Sequence, residues 1–139
     1  MDRKLLAARV VAAALVLAGG IVHFKLWNDD VYPDDVATSF LLNAIGSAAA
    51  AVALVVLPHW LPVVGALAIT NGTLIAFGLS RTGDGIPVLD FAERGWNPSP
   101  EAALALGFEL AAAVVLLVAL WLSLGPGSAT QRDQPRSWD

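Results

Sequence analysis

The stretch VATSFLLNAIGSAAAAVALVVLPHWLPVVGALAITNGTLIAFGLS, residues 36–80, decides how this chain folds. Its 45 residues contain no Asp, Glu, Lys or Arg. A helix needs about 20 mainly apolar residues to cross roughly 30 Å of hydrocarbon. The stretch therefore reads as two such helices, Val36–Leu57 and Leu61–Ser80, joined by the tight turn Pro58-His59-Trp60-Leu61-Pro62. Pro33-Asp34-Asp35 supplies the start signal of the first, and Pro62 is tolerated in the first turn of the second.

Two more spans flank this pair. One runs from about residue 5 to 27, with Arg3, Lys4 and Arg9 leading an uncharged core at Val10–Val22. A basic start and a short apolar run also describe a cleaved signal peptide, but apolar residues continue through Phe24, Leu26 and Trp27, which favours a retained helix. The other runs from 100 to 124, after Ser99-Pro100-Glu101, and stops at Gly125-Pro126-Gly127. A cap residue, a first-turn proline and an acid at the positive helix end suit that start. The expected fold class is all-α, a membrane-spanning four-helix bundle over residues 1–124, with a short inner turn and one long outer loop at 81–100. Residues 125–139, rich in Gly, Pro, Ser and Gln, read as a disordered cytoplasmic tail.

Composition agrees with a membrane setting. The chain of 139 residues is 57% hydrophobic and 14% charged, with a mean hydropathy of +0.67, whereas soluble domains average about 25% charged. Basic residues set the orientation: Arg3, Lys4, Arg9, Arg132 and Arg136 fall on one side, Lys25, Arg81 and Arg94 on the other. Both termini are thus expected in the cytoplasm, in a cell membrane. There is no cysteine, which excludes disulfides and thiolate chemistry, and no basic stripe that suits nucleic acid.

Small residues mark the faces where helices would approach closely. Ser39, Asn43, Gly46, Ser47 and Ala50 recur on the second span, Ala68, Gly72 and Ala76 on the third, and Ala102, Ala105, Ala112 and Ala113 on the fourth with Glu109.

Each span also carries one polar residue in what the topology makes its outer half. At 1.5 Å per residue, His23 lies about 6 Å from the outer end, Asn43 about 10 Å, Glu109 about 12 Å and Asn71 about 13 Å. A carboxyl at this depth costs on the order of 3 kcal/mol unless a partner or a proton neutralises it. His23, the amides of Asn43 and Asn71, and Arg81 reaching down from the end of the third span are its candidate partners. Two readings follow: interhelical hydrogen-bond glue, or an outward-facing pocket of His23, Asn43, Asn71, Arg81 and Glu109 that binds or translocates a proton, an ion or a small polar ligand.

One histidine, one carboxyl and two amides make a poor transition-metal set. His59 lies in the opposite turn, across the hydrocarbon from His23, so the two cannot share a haem. Asp29, Asp30, Asp34 and Asp35 lack the spacing of an EF-hand loop and read as a solvated turn. No cofactor is expected. No Gly-x-Ser-x-Gly, His-Glu-x-x-His or phosphate loop occurs, so the expectation is a protein without catalytic activity, an accessory or assembly subunit of a membrane complex. Its expected partners are the lipid bilayer and either another membrane protein or a second copy of the chain.

Gly19-Gly20 before His23, Phe40-Leu41-Leu42-Asn43-Ala44, Asn71, Leu79-Ser80-Arg81-Thr82, Gly85-Ile86-Pro87 and Glu109 together resemble a group of small, largely uncharacterised four-helix integral membrane proteins of bacteria, of the actinobacterial type. The resemblance covers residues 10–124. It implies the four-helix topology and points to the same polar positions, without an activity. In that pattern one residue stands between the arginine-threonine pair and the following glycine; here Gly83-Asp84 put two.

Overall fold

The computed structural model describes residues 2–125. The expected polar tail, with Arg132 and Arg136, lies outside the described residues apart from Gly125. Four α-helices form a bundle: α1 (Arg3–Asn28), α2 (Asp34–Val56), α3 (Leu61–Ser80) and α4 (Glu101–Leu124). All four are long and apolar enough to cross a membrane, and no strand is found among the described residues.

Local chemistry explains how the ends differ from those expected. The first helix begins at Arg3, because Arg and Lys are good helix formers. In α2, Asp34 and Asp35 join the first turn, where acids suit the positive end of the helix dipole. That helix stops at Val56 because Pro58 pushes Leu57 into extended backbone, φ −98° and ψ 112°. Ser99 makes no side-chain cap on α4; the Pro98 carbonyl accepts from Ala102 N–H at 2.8 Å instead.

The helices alternate in direction, so the bundle has two ends. The terminal end holds the start of α1, the α2–α3 turn and the end of α4. The loop end holds the α1–α2 turn and segment 81–100. Helix α1 is central and packs along both α2 and α4, while α3 rests on α4 and more thinly on α2. Gly20 makes the α1–α2 approach possible, since a Cβ there would stand 2.7 Å from the Ser47 Cβ.

Small and branched apolar side chains fill the terminal half, with Ala12, Val16, Leu54, Val63, Ala66, Ala112, Leu116 and Ala119 all buried. The loop half has a smaller cluster of Val22, Leu26 and Ala105, joined by Tyr32, Phe40 and Phe108. The outer surface is apolar too: Ile21, Leu42, Ile75 and Val114 are each more than half exposed. An apolar surface around a core of small residues is what packing in lipid requires.

The small-residue faces do not all behave as expected. Ser47 on α2 and Ala102, Ala105 and Ala112 on α4 are buried. On α3, however, Ala68, Gly72 and Ala76 face outward, and a Cβ on Gly72 would meet nothing within 4 Å. That ladder is not covered by another helix of this chain.

Candidate functional site

A cavity of about 420 Å³ occupies the loop half, bounded by α1, α2, α3, α4 and segment 81–100. Four of the five residues expected to share a site line it: His23, Asn43, Arg81 and Glu109. Asn71 does not. It faces outward, and its Nδ2–H donates to the Leu67 carbonyl one turn back at 2.9 Å. Counting residues along a helix gives no azimuth, because each residue turns the helix by about 100°. The inward hydroxyls beside it are those of Thr70 and Thr73, residues that on an apolar helix give no signal of their own.

Glu109 sits on the small-residue face of α4, 3% exposed. Its carboxyl lies against the α1 backbone, where a Cβ on Gly19 would come 3.0 Å from Oε1. The glycine makes room for the acid. The buried Thr70 hydroxyl is beside it, without a well-formed hydrogen bond. No ion pair reaches Glu109 among the described residues.

His23 is buried on α1, and its Nδ1–H donates to the Gly19 carbonyl at 2.9 Å. That bond fixes the tautomer of the neutral ring and leaves Nε2 as an acceptor. The ring begins an aromatic row: His23 to Phe40 at 5.7 Å, Phe40 to Tyr32 at 5.0 Å, and Tyr32 to Phe91 at 5.9 Å. Asn43 ties α2 to α3, its Nδ2–H donating to Thr73 Oγ1 at 2.5 Å, while its Oδ1 accepts from Ser47 at 3.2 Å.

Arg81 does not reach down to Glu109. Its guanidinium donates to the carbonyls of Gly95 at 3.1 Å and Asn97 at 2.8 Å, and to Ser80 Oγ at 2.8 Å. It also covers the Phe77 ring at 3.7 Å. These contacts fold segment 81–100 over the end of α3 as the cavity's roof. Within the segment a short 3₁₀ turn at Pro87–Leu89 and a bridge between Ile86 and Phe91 set the backbone. Gly85 permits that bridge: φ is +80°, and a Cβ would stand 2.2 Å from the Phe91 carbonyl oxygen.

The roof brings in a carboxyl that no sequence motif singles out. Glu93 lines the cavity, its backbone N–H donating to Ser80 O at 2.7 Å and its Oε2 standing 3.9 Å from Arg81 Nη2. That oxygen is buried and accepts no hydrogen bond. Burial pushes the Glu93 carboxyl above its ordinary range, with Arg81 opposing. Tyr32 is pushed up to about 12, first by burial and then by the charge of Glu93.

A second functional-looking residue also escaped sequence reading, at the other end of the molecule. Arg9, taken there only as an orienting charge, is 1% exposed. Its Nε donates to Leu54 O at 2.7 Å, Nη1 to His59 O at 2.8 Å and Nη2 to Leu57 O. It closes the C-terminus of α2, satisfying the carbonyls a helix end leaves free and matching the negative end of its dipole. The signal was present in Leu57-Pro58, a stop that strands those carbonyls. Arg9 holds the fold; the cavity is the candidate site. No family model, no curated protein and no solved structure matches this chain.

Proposed function

We propose that this chain is a multi-pass protein of the plasma membrane, termini on the cytoplasmic side, whose loop-end cavity binds a small ligand. Glu109 is the observation that carries the reading. A carboxyl buried in an apolar bundle is costly, and this one has no basic partner among the described residues while it lines a cavity of about 420 Å³. A polar group present only as glue is expected to be bonded across helices, as Asn43 is to Thr73. Volumes of about 300–1,000 Å³ suit small-molecule sites. The orientation rests on the basic residues that lead α1, and it puts the cavity in the outer half of the bilayer. No catalytic step belongs to this reading.

Thermal unfolding in detergent with a panel of metals, amines and organic acids tests it. At least one class is expected to raise the midpoint, and Leu106→Trp, which fills the lining, to abolish the rise. No rise with any class, for a protein that is fully helical, would count decisively against the cavity.

The outward small-residue ladder of α3 favours a second reading, the accessory subunit. Ala68, Gly72 and Ala76 beside the exposed Asn71 offer a close-packing face to a helix of another membrane protein or a second copy. Co-purification from native membrane that is lost on Gly72→Leu supports it.

A further inference from the structure

The cavity's hydrogen-bonding groups are unevenly matched. Among the described residues, the Glu109 carboxyl has only the Thr70 hydroxyl beside it, Glu93 Oε2 accepts no hydrogen bond, and His23 Nε2 is left over by the bond from Nδ1. The donors are mostly engaged. Asn43 donates to Thr73, Thr73 to Ile69 O at 3.0 Å, Ser39 to Val36 O at 2.6 Å and Ser80 to Phe77 O at 2.9 Å. The three guanidinium nitrogens of Arg81 are held by Gly95, Ser80 and Asn97. Among the described lining side chains the donors left open are the second Nδ2–H of Asn43 and the Tyr32 hydroxyl, fewer than the lone pairs left open on the two carboxyls and the imidazole. Acceptors without donors call for a ligand that brings N–H groups, and two carboxyls against one guanidinium call for positive charge. The aromatic row His23–Phe40–Tyr32–Phe91 adds ring faces, which attract ammonium groups most strongly when water is excluded.

The remainder of the lining is apolar, with Leu74, Leu106, Ile86 and Leu89 among it. It is open on one side, because Ala68, Gly72 and Ala76 of α3 both line the cavity and face outward. The opening is the seam between α2 and α3, directed at the surrounding hydrocarbon rather than at the roof, which Arg81 closes.

We infer that the ligand is a lipophilic organic ammonium ion, its nitrogen at Glu109 and its apolar body in the α2–α3 seam. The inference rests on the cavity being a binding site and narrows the ligand to one chemical class. It holds no covalent step.

The experiment titrates the full chain, in nanodiscs of zwitterionic lipid, with 4-phenylbutylammonium, 4-phenylbutanol, 4-phenylbutyrate and ethylammonium. Calorimetry at two temperatures, with empty discs subtracted, reads each affinity. The phenylbutylammonium ion is expected to bind about tenfold or more tightly than either the alcohol or ethylammonium, a gap of about 1.4 kcal/mol. Glu109→Gln should remove its advantage over the alcohol and leave the alcohol's own affinity unchanged. Gly72→Phe, placed in open space at the seam, should weaken both aromatic probes alike. Alcohol or carboxylate binding as tightly as the ammonium ion overturns the class while sparing the cavity, and an ammonium preference that survives Glu109→Gln overturns Glu109 as the seat of the nitrogen. Unchanged affinities in Gly72→Phe overturn the seam as the seat of the apolar body. If no aromatic probe binds to folded protein, the cavity reading itself fails. Should Glu109→Gln not fold, the ranking of the four probes on the unaltered chain decides the class.

Discussion

At the terminal end Arg9 is 1% exposed and three carbonyls accept from it; at the loop end Glu109 is 3% exposed and, among the described residues, the Thr70 hydroxyl is its one polar side-chain neighbour. The surroundings differ in the same sense. Alanine, valine and leucine fill the space around the inner turns near Arg9, whereas the turns around Glu109 enclose about 420 Å³. A buried charge surrounded by ligands from its own chain has finished its task when the protein folds. One left without them is available to something else. The two ends thus hold ionisable groups that differ in their partners although their burial is nearly equal, and on the proposed function only the second is left for a ligand.

Substitution should break that comparison cleanly. Arg9→Ala is expected to have the largest effect, a loss of about 3 kcal/mol or more, because each stranded buried carbonyl costs about 1–3 kcal/mol. Reversible unfolding in mixed micelles measures it. Arg9→Lys should recover only part, since one ammonium cannot reproduce the guanidinium fork. Next is Gly20→Ala, which forces the Ser47 contact apart and should cost about 1–3 kcal/mol by the same measurement. Glu109→Gln should change stability by less than about 1 kcal/mol, as no charged partner is lost, while the ammonium probe loses its advantage over the alcohol. A loss as large as that of Arg9→Ala would erase the distinction between the two buried groups.

The smallest effects belong to the roof. Arg81→Ala should speed amide hydrogen exchange at Gly95–Asn97 with little change in global unfolding, because it holds a loop. Glu93 then adds a pH dependence. Its carboxyl titrates higher in the folded protein than in the unfolded chain, so its contribution is fully present below the ordinary carboxylate range. That contribution is lost as pH rises through the raised folded value. Exchange in the roof should therefore quicken on going from acid to neutral pH, and Glu93→Gln should remove that part of the change.

Much of this architecture could be read before the structure was known, and the physical reasons set the limit. Hydropathy runs and the punctuation at Pro33, Pro58 and Pro100 define spans, since lipid demands long apolar helices and proline cannot continue a hydrogen-bond ladder. Counting residues from the ends then gave the shared depth of His23, Asn43 and Glu109. Counting gives no rotation about the helix axis, so Asn71 was assigned inward and Thr70 and Thr73 were passed over. Tertiary folding of a loop is equally hidden. Nothing in the order of residues 81–100 says that Arg81 turns upward or that Glu93 turns in, because both depend on carbonyls many positions away. Arg9 was misjudged for a related reason: a basic residue near a span's start signals orientation so often that its second use, closing the end of a neighbouring helix, went unread.

The bond from Asn43 to Thr73 has one more implication. Among the described residues it is the single side-chain hydrogen bond between α2 and α3, while at the loop end Lys25 fastens α1 to α4 through Glu101 at 2.6 Å. Each of these two seams is thus crossed by a single polar side-chain contact, an exposed ion pair on one and a part-buried amide–hydroxyl bond on the other. Were that bond lost, α3 would keep its packing on α4 and have no other side-chain hydrogen bond to α2 among the described residues.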